Sequence, residues 1–320
     1  MKGLQLAEKF FNEYRNVFLH SAEELSVGLS ERLSIGLAGE GSQCFGFDDA
    51  ISRDHDFSPG FCVWMNEADY VLYGKRLQEI YQALPKEFDG IDQSNTIAKD
   101  RLGVMSANQF YGRYTGIPET ELDWLFLSES SLATATNGKI WMNGCEEFHA
   151  VRERLLAFYP QDVLRKKVAA RAAVLSQAGQ YNLLRLIQRQ DFVGAQLCLS
   201  KFTEAAISMV HLLSGVYTPF YKWAFHSLTQ LENPLAKEVC IHLEKLPDLQ
   251  ILLSEKRWGD AKAMAFQITE DICITIGKEL KQQGYSKTDS RFLQDHLEEI
   301  MEPIVHPEIG AMHPMADPAF

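Results

Sequence analysis

Three things are scarce in this sequence, and each scarcity excludes a class of protein. Its 320 residues hold six cysteines (Cys44, Cys62, Cys145, Cys198, Cys240 and Cys273), scattered singly with no Cys-x-x-Cys. Neither a zinc ribbon nor a thioredoxin-type motif is supported, and free thiols are expected. No uninterrupted apolar run reaches the length needed to span a bilayer, and the opening stretch MKGLQLAEKFFNEY reads as an amphipathic helix rather than a signal peptide. A cytoplasmic protein with no membrane partner is expected. Positive charge is also short: the formal net charge is −12. That argues against a chain whose main task is coating nucleic acid, because phosphate contacts need a basic surface. A small phosphate-bearing ligand, held by a few basic groups and metal ions, is compatible with the same balance. Internal repeats and low-complexity tracts are absent.

What is present is ordinary globular material. Hydrophobic residues make up 46% and charged residues 23%, with five Trp and 19 Phe to bury. The length predicts two domains. Apolar spacing predicts a helix over 3–26, then a short buried strand over 33–38 that ends in a Gly39-Glu40-Gly41-Ser42 turn. A second strand fits around 54–57, is interrupted by Pro59-Gly60, and continues over 61–65. Helix is expected over 67–84 and 107–115, a polar loop over 86–102, a strand over 122–127, and a hairpin with Asn137-Gly138 at its turn. From about residue 146 helical periodicity dominates, over 147–158, 161–190, 191–213, 217–230, 234–246, 249–254, 258–282 and 288–301, before an irregular Pro-rich tail. The expected fold class is α+β: a mixed sheet with flanking helices in residues 1–145, followed by an all-α helical bundle in residues 146–320.

One stretch concentrates the chemistry. GEGSQCFGFDDAISRDHDFSPGFCVW runs from Gly39 to Trp64 and holds four aspartates within nine residues: Asp48, Asp49, Asp54 and Asp56. Clustered like charges repel, so water or a cation must compensate. On a strand, side chains alternate faces, which puts Asp54 and Asp56 on one side and His55 on the other. Two carboxylates so placed are suited to hard cations, and Mg²⁺ prefers one or two carboxylates plus substrate phosphates. A pair of such ions about 3.5–4 Å apart activates an attacking oxygen and stabilises a leaving one. The Gly41-Ser42 turn opens a helix whose N-terminal N–H groups suit an anion.

Gly41-Ser42, eleven intervening residues, then Asp54-His55-Asp56-Phe57 resembles the signature of the nucleotidyltransferase superfamily with the DNA polymerase β fold. The longer string is similar to a bacterial family described only as a domain of unknown function, and the likeness extends to YGRYTG, LDWLFL, FYP and YTPFYKW. The superfamily resemblance implies a metal-dependent transfer of a nucleoside monophosphate from an NTP, ATP first, to a small-molecule or protein acceptor, with release of pyrophosphate. It implies that Gly41 and Ser42 contact the phosphates and that Asp54 and Asp56 bind Mg²⁺ or Mn²⁺. A third carboxylate on a later strand, as metal ligand or general base, falls to Asp123, with Glu121 the fallback of the same parity. Small-molecule members use a lysine from the helical domain on the triphosphate, and Lys222 in YTPFYKW takes that place; the alternative is a surface lysine beside a core tryptophan. His55 stands where the superfamily has an apolar residue, a departure that bears on strand burial there. The alternative function is a nucleotide-binding regulatory protein with the same fold and no turnover. A metal-dependent hydrolase built on the Asp-His-Asp triplet is the weaker third reading.

Other residues have blander readings. Asp48 and Asp49 fit a helix cap or a solvated turn better than a substrate contact, and Cys44 fits a packed small residue better than a nucleophile. Arg53 pairs with Asp48 or Asp49, or contacts substrate. Arg165, Lys166, Lys167 and Arg171 form one basic helical stretch, expected as a solvated face, with attraction of an anionic substrate the alternative. His306 and His313 carry no metal-ligand spacing.

Overall fold

Leu6, Phe10, Phe11 and Phe18 recur at helical spacing and form the buried face of α1 (Gly3–Leu25). The computed structural model describes residues 1–52, 57–92 and 99–320. The chain forms two compact units, the first made of Met1–Pro118 and Ser131–Phe158, the second of Glu119–Ser130 and Tyr159–Phe320. They part there rather than at residue 146.

In the first unit α1 leads into β1 (Ser34–Leu37), the short α2 (Ser42–Phe45) and β2 (Cys62–Met65). One long helical segment follows, α3 (Glu67–Asp69), a π-turn over Tyr70–Gly74 and α4 (Lys75–Gln82). A two-stranded ribbon, β3 (Glu87–Phe88) and β4 (Ile91–Asp92), lies where only a polar loop was expected. β5 (Gly103–Ser106) was not foreseen at all; α5 (Ala107–Tyr114) was. β6 (Lys139–Asn143) and α8 (Glu146–Leu156) complete the unit.

The expected strand over 122–127 is a helix, α6 (Glu121–Phe126), and it belongs to the second unit. Its apolar run suggested a strand, but Thr120 and Asp123 form a capping box that starts a helix instead. The expected hairpin at Asn137-Gly138 is a helix-to-strand turn, because residues before it form α7 (Glu129–Thr136).

The sheet order is β5-β2-β1-β6, with β1 antiparallel to β2 and β6, and β2 parallel to β5. β1, β2 and β5 are buried throughout, and β6 is a part-exposed edge. Alternation sorts the side chains of β2. Val63 and Met65 join Phe10, Phe11, Phe18, Ile35, Leu77 and Tyr81 in one core, under α1 and α4. Trp64 faces the other way, stacked on Phe148 of α8 at 4.2 Å and edge-on to Phe110 of α5. Helices therefore cover both faces, and the loop after β1 emerges at the sheet's end.

The second unit is helical. After α6 come α9 (Gln161–Val174), a π-helical stretch over Leu175–Leu183, α10 (Leu184–Gln188) and α11 (Phe192–Leu213). Then follow α12 (Tyr221–Thr229), α13 (Pro234–Leu243), α14 (Leu246–Ser254), α15 (Trp258–Gln282), α16 (Leu297–Met301) and α17 (Pro307–Ala311). Starts are marked by side-chain caps: Asp191 for α11, and Asn233 with Pro234 behind it for α13. α9 is buried nearly all round and packs against α11 and α16. All described strands lie in the first unit, so the chain is mixed α+β. All six cysteines are free thiols. Among the described residues no helix is long and apolar enough to cross a membrane.

Candidate functional site

The turn after β1 is built from glycine for a steric reason. Gly41, at the N-cap of α2, has φ +100°, and a Cβ there would lie 2.3 Å from Nη2 of Arg101. The Arg101 guanidinium also donates to the carbonyl of Glu40. Arg101 thus lies against the bend, a placement that sequence spacing does not reveal because sixty residues separate it from Gly41. Ser42 is the first residue of α2 and is half-buried.

Asn137 holds the same bend from the turn that precedes β6. Its side-chain oxygen accepts from the N–H of Gly39 at 2.8 Å, and its side-chain nitrogen donates to the carbonyl of Gly39 at 2.7 Å. Gly138 follows because a Cβ would sit 1.9 Å from the carbonyl oxygen of Leu37. The Asn-Gly pair, read as a hairpin turn, is a clasp between β6 and the end of β1. Arg152 of α8 in turn donates to the carbonyls of Thr136 and Asn137, both at 2.8 Å, closing the C-terminus of α7.

Two thiols lie beneath the bend. Cys44 is buried, its Sγ 3.2 Å from the Glu40 carbonyl, and burial pushes its pKa up to about 11. Cys62 on β2 is pushed up to about 12 by burial. Neither is a nucleophile at neutral pH. Tyr114 of α5 stands beside Gly39, and burial raises its hydroxyl to about 12.

Asp48 is buried and anchors the start of α1: its Oδ2 accepts from the N–H of Gly3 at 2.9 Å, while its carbonyl accepts from Lys2. Its Oδ1 has no hydrogen-bond partner among the described residues. Asp49 is exposed and accepts from the N–H groups of Ile51 and Ser52 in a local turn. Arg53, Asp54, His55 and Asp56 lie outside the described residues. Phe57, expected at the end of a strand, is not in one.

The remaining expected site residues fall in the second unit. Asp123 is exposed on the first turn of α6, not on a strand. Its Oδ2 accepts from the N–H groups of Glu119 at 2.9 Å and Thr120 at 2.8 Å. Glu121 begins the same helix, so the strand parity that paired it with Asp123 does not apply. Lys222 is exposed near the start of α12, its ammonium 5.5 Å from the centre of the Trp223 ring.

The basic stretch on α9 is not a solvated face. Lys166, Lys167 and Arg171 are fully buried. Arg171 donates from Nη2 to Glu129 at 2.6 Å, from Nη1 to Asp317 at 2.6 Å and from Nε to Ser208 at 2.7 Å. Glu129 also accepts from Ser208 and Thr218. Burial would raise the pKa of Glu129, but Arg171 and Lys167 outweigh it and hold the carboxylate below its ordinary value. A cavity of about 640 Å³ opens beside this network, with Arg171, Glu129, Ser208 and Thr218 among its polar lining and Ile207, Phe220 and Phe320 among its apolar walls.

Among the described residues no group of three or more His, Cys, Asp or Glu side chains is placed to hold a metal ion. The family described as "Domain of unknown function (DUF4037)" matches residues 124–224. That span includes FYP and YTPFYKW and leaves out the Gly39–Trp64 stretch. Comparison with curated proteins found no match, and comparison with solved structures found none.

Proposed function

We propose that the chain is a metal-dependent nucleotidyltransferase. It moves a nucleoside monophosphate from an NTP, with ATP the first choice, to a small-molecule or protein acceptor and releases pyrophosphate. The observation that carries the reading is the bend after β1. Two glycines there have positive φ: Gly39 is clasped by Asn137 and Gly41 lies against Arg101, at the Gly-Ser element of the superfamily signature. A backbone free of side chains beside a guanidinium is a cradle suited to phosphate oxygens.

In the proposed reaction an acceptor hydroxyl or amine attacks the α-phosphorus in line and gives its proton to the general base, proposed as Asp123. The bond from that phosphorus to the bridging oxygen breaks, and pyrophosphate leaves with the electron pair. Gly41, Ser42 and Arg101 bind the β- and γ-phosphates, with Lys222 proposed as the further clamp. Asp54 and Asp56 hold Mg²⁺ or Mn²⁺, which when bound neutralises charge on the attacking and leaving oxygens. The net charge of −12 supports an acceptor other than nucleic acid.

A specific observation favours a second reading. The carboxylate of Asp123, proposed as third metal ligand or general base, is engaged by two backbone N–H groups at the start of α6. A chain that binds nucleotide through Gly41, Ser42, Asp54 and Asp56 but has no base is a regulatory nucleotide-binding protein. Incubation with each of the four NTPs and Mg²⁺ or Mn²⁺, read by pyrophosphate release and by mass spectrometry of the protein and a metabolite extract, separates the two. Pyrophosphate with a nucleotidylated product supports the enzyme; binding without release supports the regulator.

A further inference from the structure

The ion-paired network on α9 holds more buried cations than carboxylates, since buried Asp162 is engaged instead by the N–H groups of Val305 and His306. Lys166, Lys167 and Arg171 are three cations on adjoining positions of α9, and the two carboxylates that face them are Glu129 and Asp317. Glu129 is fixed at the start of α7 by Arg171, Ser208 and Thr218. Asp317 arrives differently, on an irregular segment beyond α17 in which Met315, Ala316 and Pro318 are exposed and only the Asp317 side chain is deeply buried.

The polar contacts of that segment with the cations are all made by oxygen. Lys166 donates to the carbonyl of Pro314 at 2.9 Å and to that of Ala316. Asp317 accepts from Lys167 at 3.4 Å through Oδ1 and from Arg171 at 2.6 Å through Oδ2. Four oxygens from three residues, Pro314, Ala316 and Asp317, converge on two ammonium groups and one guanidinium, which is the donor set that suits a phosphoryl group. Ala319 and Phe320 then continue into the wall of the 640 Å³ cavity, and the Phe320 ring centre lies 3.6 Å from Cζ of Arg171.

We propose that Lys166, Lys167 and Arg171 form a binding site for the phosphate of a phosphomonoester, which residues 314–320 occupy in its absence with Asp317 in place of the phosphate. The ligand's apolar body lies in the adjoining cavity, against Ile207 and Phe220. Charge selects this class. With Asp317 withdrawn, the three cations exceed Glu129 by two charges, which matches a phosphomonoester at about −1.5 to −2 and not a single carboxylate. The state of Lys166 agrees: burial lowers its pKa to about 8, so a second negative charge at the site stabilises its ammonium form. This inference is independent of nucleotidyl transfer, since it uses none of the residues assigned to that reaction.

The test uses the full chain, titrated calorimetrically with inorganic phosphate and with phenyl phosphate. Hydrogen exchange across residues 314–320 is followed in parallel. Phenyl phosphate is expected to bind more tightly than inorganic phosphate and to speed exchange across 314–320. Asp317→Asn, which removes the competing charge and keeps an acceptor, is expected to raise the affinity for both by about tenfold. Lys167→Met is expected to abolish binding. The proposal is overturned if neither anion binds saturably, if Lys167→Met leaves binding unchanged, or if exchange across 314–320 is the same with and without bound phenyl phosphate. Should Asp317→Asn not fold, the exchange measurement on the native chain decides. Equal affinity for the two anions overturns the cavity's part and assigns the site to free phosphate.

Discussion

Asn137 holds Gly39 by both of its backbone polar groups, at 2.8 Å and 2.7 Å, across ninety-eight residues of sequence. Gly39 is buried, so neither group has water to fall back on. Asn137→Ala is therefore expected to lower stability by about 1–3 kcal/mol. It should also weaken binding of a non-hydrolysable ATP analogue about tenfold, because the bend that receives phosphate loses its position. Urea denaturation and calorimetric titration read the two effects separately.

Gly41→Ala asks more of the backbone. The residue has φ +100°, and the added Cβ would meet Arg101 at 2.3 Å. The end of a side chain can move, so the fold should survive, with a loss of about 1–2 kcal/mol from the strained backbone. Nucleotide binding is expected to be lost. Gly138→Ala meets the Leu37 carbonyl at 1.9 Å, backbone that cannot move away. Its expected result is little soluble protein, judged by expression and circular dichroism.

The sequence made the first unit's site half legible. The glycine bend could be read because turn chemistry is local, and α1 because its apolar spacing is regular. Asn137 and Arg101 could not, since their partners lie far along the chain and neither residue type is unusual where it stands. β5 escaped because four buried residues between Gly103 and Ser106 carry no readable period. The basic run on α9 looks like a solvated face in sequence for the same reason that the clasp is hidden. Its carboxylates, Glu129 and Asp317, are 42 and 146 residues away from Arg171, so spacing showed the charges without their partners.

Acid should expose that buried network. Burial would raise the pKa of Asp317 and of Glu129, but Lys167 and Arg171 hold both below their ordinary values. Unfolded carboxylates titrate near about pH 4. The stabilisation is thus fully present above that value and is lost as pH falls through the lower folded pKa values. The urea midpoint should stay level with respect to these groups from pH 7 to about 5 and fall steeply below about 4. Asp317→Asn should flatten part of that fall. Arg171→Met, which strands two buried carboxylates, is expected to cost about 3–5 kcal/mol at pH 7.

Asp123 offers a cleaner separation of cap from catalyst. As the capping-box acid of α6, its replacement by Ala should cost about 0.5–2 kcal/mol and leave affinity for the ATP analogue unchanged. If it instead serves as metal ligand or base, turnover falls by orders of magnitude while the stability loss stays the same. Steady-state pyrophosphate release beside a denaturation curve distinguishes the outcomes.

The central claim is that Asp54 and Asp56 bring divalent ions to a nucleotide held at the Gly41-Ser42 bend. Its most direct test is calorimetric titration of a non-hydrolysable ATP analogue with Mg²⁺ into the native chain and into the Asp54→Ala, Asp56→Ala double variant. Saturable binding that EDTA removes and the double variant lacks is the predicted result. Metal-dependent binding of equal strength in both proteins would contradict it.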